Sequence, residues 1–161
     1  MIRDAAPGDA AAIAAIWAPW VRDTAITFAP EPKTAPEVAA MIAGRRAAGQ
    51  AFLVAEAAGT VLGFVTYAQF RDGAGYRRSM EHTIILSPAA GRRGTGRALM
   101  AAMEDRARGA GVHLMMAGIS AENPGARAFH EALGYRLHGT IPQAGWKFGR
   151  PIDLWLLGKL L

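Results

Sequence analysis

The segment from Ser79 to Arg108 restricts the fold of this chain more than any other part of it. It begins with a run in which Thr83, Ile84 and Ile85 are β-branched and therefore favour a strand. Pro88 ends that strand because proline has no N–H to donate to a sheet. After a turn rich in glycine and arginine, apolar residues recur at helical spacing, namely Leu99, Met100, Met103 and Ala107. The segment therefore predicts a strand, a turn and a helix in direct succession.

The turn itself has the composition of an anion-binding site. The first turn of a helix carries unpaired backbone N–H groups and partial positive charge. Gly94 and Gly96 allow the backbone to approach a bulky anion. Arg92, Arg93 and Arg97 add full positive charges. A plain glycine turn with solvated arginines is the alternative, but the strand before it and the helix after it favour a phosphate site.

The turn resembles the signature of the GNAT superfamily of N-acetyltransferases, Gln/Arg-x-x-Gly-x-Gly/Ala between the fourth strand and the next helix. The matching stretch is Gly91-Arg92-Arg93-Gly94-Thr95-Gly96, with Gly91 where the family usually has Gln or Arg. The resemblance implies that this turn holds the pyrophosphate of acetyl-coenzyme A through Arg92, Arg93, Gly94, Thr95, Gly96 and Arg97. It also implies that the strand before the turn is splayed from its neighbour. Exposed backbone groups there, at Ile84, Ile85 and Leu86, would pair with the pantetheine arm.

A narrower resemblance, to the phosphinothricin and methionine sulfoximine N-acetyltransferase branch, covers nearly the whole chain. Five pieces match in the same order, at residues 24–28, 75–77 with 81–83, 122–126, 129–135 and 145–150. Two positions differ, since Ile85 stands where the branch often has Tyr and Pro151 where it often has Trp. The implied reaction is acetyl transfer from acetyl-coenzyme A to the α-amino group of a small amino acid or analogue. Phosphinothricin, methionine sulfoximine and methionine sulfone are examples, and the implied mechanism is direct attack in a ternary complex.

Glu81 is the candidate general base for this reaction, in which an amine must lose a proton. Period-two alternation places Glu81, Thr83 and Ile85 on one face of the strand and His82 on the other. An acid in an apolar strand is costly to bury, and burial raises its pKa. A salt bridge with Arg77 is the alternative. The matching glutamate of the branch is the base, which favours the catalytic interpretation.

His130 and Asn123 are further candidates for the site. The resemblance places His130 where many GNAT enzymes have a Tyr that protonates the leaving thiolate, and a purely structural histidine is the alternative. Asn123 precedes Pro124 and predicts a helix N-cap, to which the resemblance adds a contact with the coenzyme arm. His82 is predicted to be structural. The four histidines are too dispersed in the sequence to predict a metal site.

Four residues are candidate contacts to the amino-acid substrate. An arginine can bind a carboxylate in bidentate fashion, and Arg71, Tyr76 and Arg77 lie shortly before Glu81. Solvated loop arginines are the alternative. The resemblance adds Phe28, because its segment covers the active site in the family.

Composition restricts the remaining possibilities. A chain of 161 residues suits a single domain, residues 1–161, and the lack of cysteine excludes disulfides and a cysteine nucleophile. The net charge of +5 is scattered in small clusters, which favours a coenzyme anion over nucleic acid. No stretch approaches the ~20 apolar residues of a membrane helix. With no apolar signal segment at Met1, a soluble cytoplasmic protein is predicted.

The order of predicted elements, β-α-α-β-β-β-α-β-α-β-β, indicates an α/β protein with a mixed sheet and helices on both faces. The resemblance implies six to seven mostly antiparallel strands, splayed between strands 4 and 5, with about four helices, and a homodimer. Asp9 and Thr34 are predicted helix N-caps, and Pro19 a kink or break. Residues 142–148 are predicted to form a loop, with Lys147 and Phe148 closing the far side of the pocket or the partner's site.

Other functions remain open at this point. The same fold can acetylate another amine, such as a protein N-terminus or a polyamine, although a polyamine site would require several acids near the pocket. A coenzyme-binding module without turnover is a second possibility, against which an intact Glu81 argues. A nucleic-acid binder would show steeply salt-dependent DNA affinity.

Overall fold

The alternation of short β-rich runs with helical repeats produces one mixed sheet. The computed structural model describes residues 1–91 and 93–161, and within them the sheet has seven strands in the order β1-β2-β3-β4-β5-β7-β6. The strands are β1 (Ile2–Asp4), β2 (Phe52–Ala57), β3 (Thr60–Gln69), β4 (Ser79–Leu86), β5 (Leu114–Ser120), β6 (Arg136–Lys147) and β7 (Arg150–Leu160). The α-helices of the described residues are α1 (Ala10–Asp23), α2 (Ala35–Ala47), α3 (Thr95–Gly109) and α4 (Pro124–Glu131). The predicted fold class and element order are confirmed.

Strands β4 and β5 form a parallel pair that is very short. Residues 79–81 face residues 114–116, and the two strands diverge beyond Glu81. Strand β4 nevertheless continues to Leu86, paired with β3 on its other edge, and β5 continues to Ser120, paired with β7. The sheet is therefore open next to Glu81, which confirms the predicted splay.

Helices cover both faces of the sheet. The apolar stripe of α3 is buried against one face, where Leu99, Met100, Met103 and Ala107 have no exposed surface. On the other face Ile13 of α1 and Val38 of α2 pack with Phe52 and Phe64. Both cores follow the helical and two-residue periods of the sequence.

The helix starts differ from the predictions at one of two places. Thr34 caps α2 as predicted, since its hydroxyl accepts from the Glu37 N–H and the Glu37 carboxylate accepts from the Thr34 N–H. Asp9 occupies the predicted N-cap position of α1, but its side chain makes no capping bond to that helix. A 3₁₀ turn precedes α1, so the Asp9 carboxylate points back and accepts from the Ala6 N–H and from Arg3. Helix α1 also continues through Pro19, so the predicted break does not occur.

The predicted loop at residues 142–148 is also wrong, because β6 extends to Lys147. Strand β6 lies at the edge of the sheet, where a proline such as Pro142 is tolerated. A bulge absorbs the irregular segment, since Ile141 faces Leu154 and Gly145 already faces Ile152. The strand therefore brings Lys147 into the interior.

Candidate active site

A cavity of about 490 Å³ opens where β4 and β5 diverge. Its walls come from these two strands, from α4 and from the segment that follows α1. Residues of the wall include Phe28, Glu81, His82, Thr83, Ile84, Ile85, Leu86, Gly118, Ser120, Asn123, Phe129, His130 and Leu154. The cavity therefore brings together the predicted catalytic residues and part of the predicted cofactor site.

Glu81 is the last residue of β4 that pairs with β5, so it lies at the vertex of the opening between these two strands. Its carboxylate lies over Gly118 of β5, and a Cβ atom at Gly118 would be 2.6 Å from Glu81 Oε1. Burial raises the pKa of Glu81, and the backbone of Gly118 opposes that shift in part. Within the described residues no salt bridge to Glu81 is found, so the alternative pairing with Arg77 is not supported. The Glu81 carboxylate therefore lies partly buried at the opening of the sheet, with no cationic side chain paired to it among the described residues.

His82 and His130 form a buried pair at the edge of the cavity. Their Nε2 atoms are 2.9 Å apart, and His130 Nδ1 is 2.7 Å from the Ala126 carbonyl oxygen. A carbonyl oxygen only accepts, so His130 carries its proton on Nδ1 and accepts at Nε2 from His82. Burial, followed by the neighbouring His130, lowers the pKa of His82 to about 3. Burial also lowers the pKa of His130, so both rings are neutral at neutral pH.

This pairing changes what the sequence indicated for both histidines. His82 lines the cavity because the sheet is open there, although alternation places it on the opposite strand face from Glu81. The single N–H of neutral His130 is bonded to Ala126, so the arrangement does not present it to a thiolate. The Glu81-His82-Thr83 piece marks the position of His82, but its contact with His130 joins residues 48 apart in sequence.

The backbone of β4 offers hydrogen-bonding groups to the opening at alternate residues. Bonds from Phe70 N to Ser79 O and from Ser87 N to Leu62 O show that odd-numbered residues of this strand pair with β3. The N–H and C=O groups of Ile84 and Leu86 therefore face the opening, whereas those of Ile85 do not. The contact of Ile85 with the coenzyme arm stays a prediction, and Ile85 also lines the cavity wall.

The predicted phosphate turn lies at the start of α3, beside the far wall of the cavity. Gly94 precedes the helix with φ of +79°, a left-handed conformation that favours glycine, and Thr95 begins the helix. A Cβ atom at Gly96 would be 3.1 Å from Leu86 Cδ1 and 3.3 Å from Phe129 Cζ. The absence of a side chain at Gly96 thus lets the helix start approach the cavity wall closely.

Two of the three arginines of this turn belong to the described residues. Arg93 and Arg97 are exposed, beside the unpaired N–H groups of the first turn. Arg92, predicted as a third cationic contact, lies outside the described residues.

Asn123 caps α4 as predicted, since its Oδ1 accepts from the Ala126 N–H at 3.0 Å. It also lines the cavity. The side-chain amide N–H₂ group is then the part of Asn123 suited to bind a ligand.

The predicted substrate contacts are only partly brought together. Phe28 lines the cavity, but Arg71, Tyr76 and Arg77 do not. The Arg71 guanidinium lies 5.6 Å from the centre of the Tyr76 ring, and Tyr76 is 42% exposed. The wall instead contains Ile26, Thr27 and Trp17, which the sequence did not single out as substrate contacts.

No group of three or more His, Cys, Asp or Glu side chains is arranged to hold a metal ion in the described part of the chain. None of the helices at residues 1–91 and 93–161 combines the length and apolar character needed to cross a bilayer.

Comparison with known proteins agrees with this geometry. Residues 15–135 match the acetyltransferase (GNAT) family. The chain is 36% identical over 153 residues to the L-amino acid N-acyltransferase MnaT of Escherichia coli strain K12, covering 95% of this chain and 89% of that protein. It is also 36% identical to an L-methionine sulfoximine/L-methionine sulfone acetyltransferase of Pseudomonas paraeruginosa, covering 95% and 90% of the two chains.

One solved structure with a similar fold contains acetyl-coenzyme A. A phosphinothricin acetyltransferase from Sinorhizobium meliloti, in complex with acetyl-coenzyme A, superimposes with a TM-score of 0.94. The two chains are 31% identical, and the match covers 100% of this chain and 88% of the other. With the sheet opened beside Glu81, a glycine-rich helix start next to the opening and this extent of likeness, the chain belongs to the GNAT family of acetyltransferases.

Proposed function

We propose that this enzyme transfers the acetyl group of acetyl-coenzyme A to the α-amino group of a small amino acid or analogue of the methionine sulfoximine and phosphinothricin type. The observation that carries the proposal is the position of Glu81. Its carboxylate lies at the vertex of the opened sheet, and burial raises its pKa toward the range useful for a general base. The names of the relatives supply the substrate class.

The donor has a continuous path along the far side of the cavity. The first-turn N–H groups of α3 and the exposed Arg93 and Arg97 suit its phosphates. The backbone groups of Ile84 and Leu86 suit the amides of the pantetheine arm, in the manner of an added strand. Trp20 Nε1 donates to Leu86 O at 3.1 Å, so one of these carbonyls already has a partner from α1.

The reaction requires no covalent enzyme intermediate. The neutral amine attacks the thioester carbonyl, an N–C bond forms, the C–S bond breaks, the nitrogen releases one proton, and the thiolate takes up one from solvent water. Glu81 accepts the proton that the amine releases, directly or through a water molecule. The neutral pair of His82 and His130 shapes the cavity beside it.

The assay that tests this function measures thiol release from acetyl-coenzyme A with a panel of amines. We expect turnover with methionine sulfoximine, methionine sulfone or phosphinothricin, and slower turnover with spermidine or a peptide N-terminus. Turnover confined to the polyamine or the peptide would reject the substrate class. Binding of acetyl-coenzyme A without thiol release from any amine would indicate a coenzyme-binding module instead.

A location in the cytoplasm is part of the proposal.

A homodimer is also part of this proposal, and the edge strand β6 supports it. Trp146 is 65% exposed and Phe148 58% exposed, and they lie at and just after the end of β6, the outermost strand of the sheet. Large exposed apolar side chains that cluster in this way are typical of an interaction surface.

Light scattering after size exclusion tests the dimer. We expect a mass of twice the 17.0 kDa of one chain, and a shift toward the single-chain mass for Trp146→Lys. A charge on this surface disfavours burial, whereas the fold does not depend on a side chain already in solvent. A wild-type protein with the mass of one chain at micromolar concentration would contradict the dimer.

A further inference from the structure

Lys147 is a buried lysine that binds two backbone carbonyl groups and lies outside the cavity. The residue is only 5% exposed. Its Nζ donates to Val21 O and to Ala29 O, each at 2.5 Å. A buried ammonium is costly unless such bonds compensate for lost hydration. Val21 belongs to the last turn of α1, where unpaired carbonyls and the helix dipole favour a cation.

The two carbonyl groups bracket the segment that covers the cavity. Residues 22–28 connect Val21 to Ala29, and three of them, Ile26, Thr27 and Phe28, line the cavity wall. One ammonium group therefore ties both ends of this covering segment to the edge strand β6. The side chains between the ties cannot shift far without breaking one of these bonds.

A second contact from the same strand holds Phe28 directly. Gly145 lies two residues before Lys147, on the same face of β6. A Cβ atom at Gly145 would lie 2.2 Å from Phe28 Cε2, so the ring packs on bare backbone at this position. The buried Gly145 and Lys147 thus flank the exposed Trp146 and together hold the covering segment.

We propose that Lys147 is a positioning residue that sets the shape of the amine-acceptor end of the cavity. This proposal rests on the proposed function, because it assigns the Phe28 wall to the acceptor. The donor end is built from β4, α3 and α4, and Lys147 contacts none of these elements through its ammonium. Loss of the ammonium therefore disturbs acceptor binding and leaves donor binding intact.

The test compares Lys147→Met with the wild-type enzyme. Methionine has a similar length and remains apolar in the interior, but it cannot donate to Val21 O or Ala29 O. We expect the acceptor KM to rise by about tenfold, because small displacements of a binding wall are costly. The dissociation constant of acetyl-coenzyme A should change less than about twofold, because the Lys147 ammonium contacts none of the elements that form the donor end.

Two further variants separate positioning from general destabilisation. Gly145→Ala displaces Phe28 but keeps the ammonium, and we expect the same split between acceptor KM and donor affinity. Lys159→Met removes a lysine that pairs with Glu104 at 2.6 Å, away from the covering segment, and should leave the acceptor KM unchanged. Hydrogen exchange of the free enzyme should show faster exchange at residues 22–29 in Lys147→Met and not in Lys159→Met.

The outcomes distinguish this inference from the proposed function. An unchanged acceptor KM in Lys147→Met, or an equal rise in Lys159→Met, would overturn it. Unaltered exchange at residues 22–29 would overturn it as well, and that measurement needs no turnover. If the wild-type enzyme acetylates none of the amino acids, the proposed function fails. The role of Lys147 is then decided by hydrogen exchange at residues 22–29 and by the KM of whichever other amine is acetylated.

Discussion

Replacing Glu81 by Gln is expected to lower kcat by about 10²–10⁴-fold, the usual contribution of a positioned general base. Gln has nearly the same volume and fits over Gly118, but it cannot accept the proton of the amine. The dissociation constant of acetyl-coenzyme A should not change, because the proposed donor site uses the β4 backbone and the start of α3 and not the Glu81 carboxylate. Steady-state kinetics and calorimetric titration of the donor measure the two quantities.

The pH dependence of the wild-type enzyme provides a second readout. Burial raises the pKa of Glu81, so its basic form is lost as the pH falls through a value above that of an ordinary glutamate. The kcat/KM of the wild type should therefore rise with pH along an acid limb. The kcat/KM of Glu81→Gln should not show the rise with pH that the titration of Glu81 causes in the wild type.

A neighbouring glycine offers a matched variant that leaves the carboxylate in place. In Gly118→Ala the new Cβ would approach Glu81 Oε1 within 2.6 Å, so the carboxylate must move. We expect kcat to fall by about tenfold or more, since a displacement near 1 Å is costly to proton transfer. Near-normal kcat in Glu81→Gln, with donor binding intact, would remove Glu81 from the mechanism.

The second large effect concerns stability in acid. His82 titrates near pH 6.5 when unfolded, whereas burial lowers its pKa to about 3 in the folded protein. Between these values the unfolded chain binds more protons, so the free energy of unfolding falls as the pH falls. His82 should contribute a loss of about 1.5 kcal/mol between pH 6.5 and pH 5.

The variant His82→Gln isolates this contribution. Its amide can still donate to His130 Nε2, but it does not titrate in this range. His130 also has a lowered pKa and adds to the acid sensitivity of both proteins, while the raised pKa of Glu81 acts in the opposite direction. Urea unfolding at several pH values should show a shallower decline for the variant. Equal slopes for the two proteins would mean that His82 is not held neutral by burial.

The local patterns of the sequence determined the order of the helices and strands. The β-branched run before Pro88, the helical stripe of α3 and the capping box at Thr34 are short-range features, and each appears where the sequence placed it. Glu81 could be singled out as a candidate because it is an acid in an apolar strand, and mainly because the resemblance assigns the base to the matching glutamate.

Residues 142–148 show where local patterns fail. Pro142 and Gly145 are typical of a loop, but pairing with β7 and a bulge keep the segment in the sheet as far as Lys147. Edge position, which depends on the whole strand order, decided this outcome. Likewise, a 3₁₀ turn precedes α1, and the Asp9 carboxylate accepts from Arg3 instead of capping the helix.

The sequence by itself determined which chemical groups this protein has and the order of its strands and helices, although it predicted a loop where β6 carries Lys147. Only the tertiary structure decided which of them meet, since His82 contacts His130 across 48 residues and Lys147 reaches Val21 across 126. The physical reason is the range of the interactions. Strand alternation and helix capping act over a few residues, whereas the opening between β4 and β5 depends on how every strand of the sheet is paired.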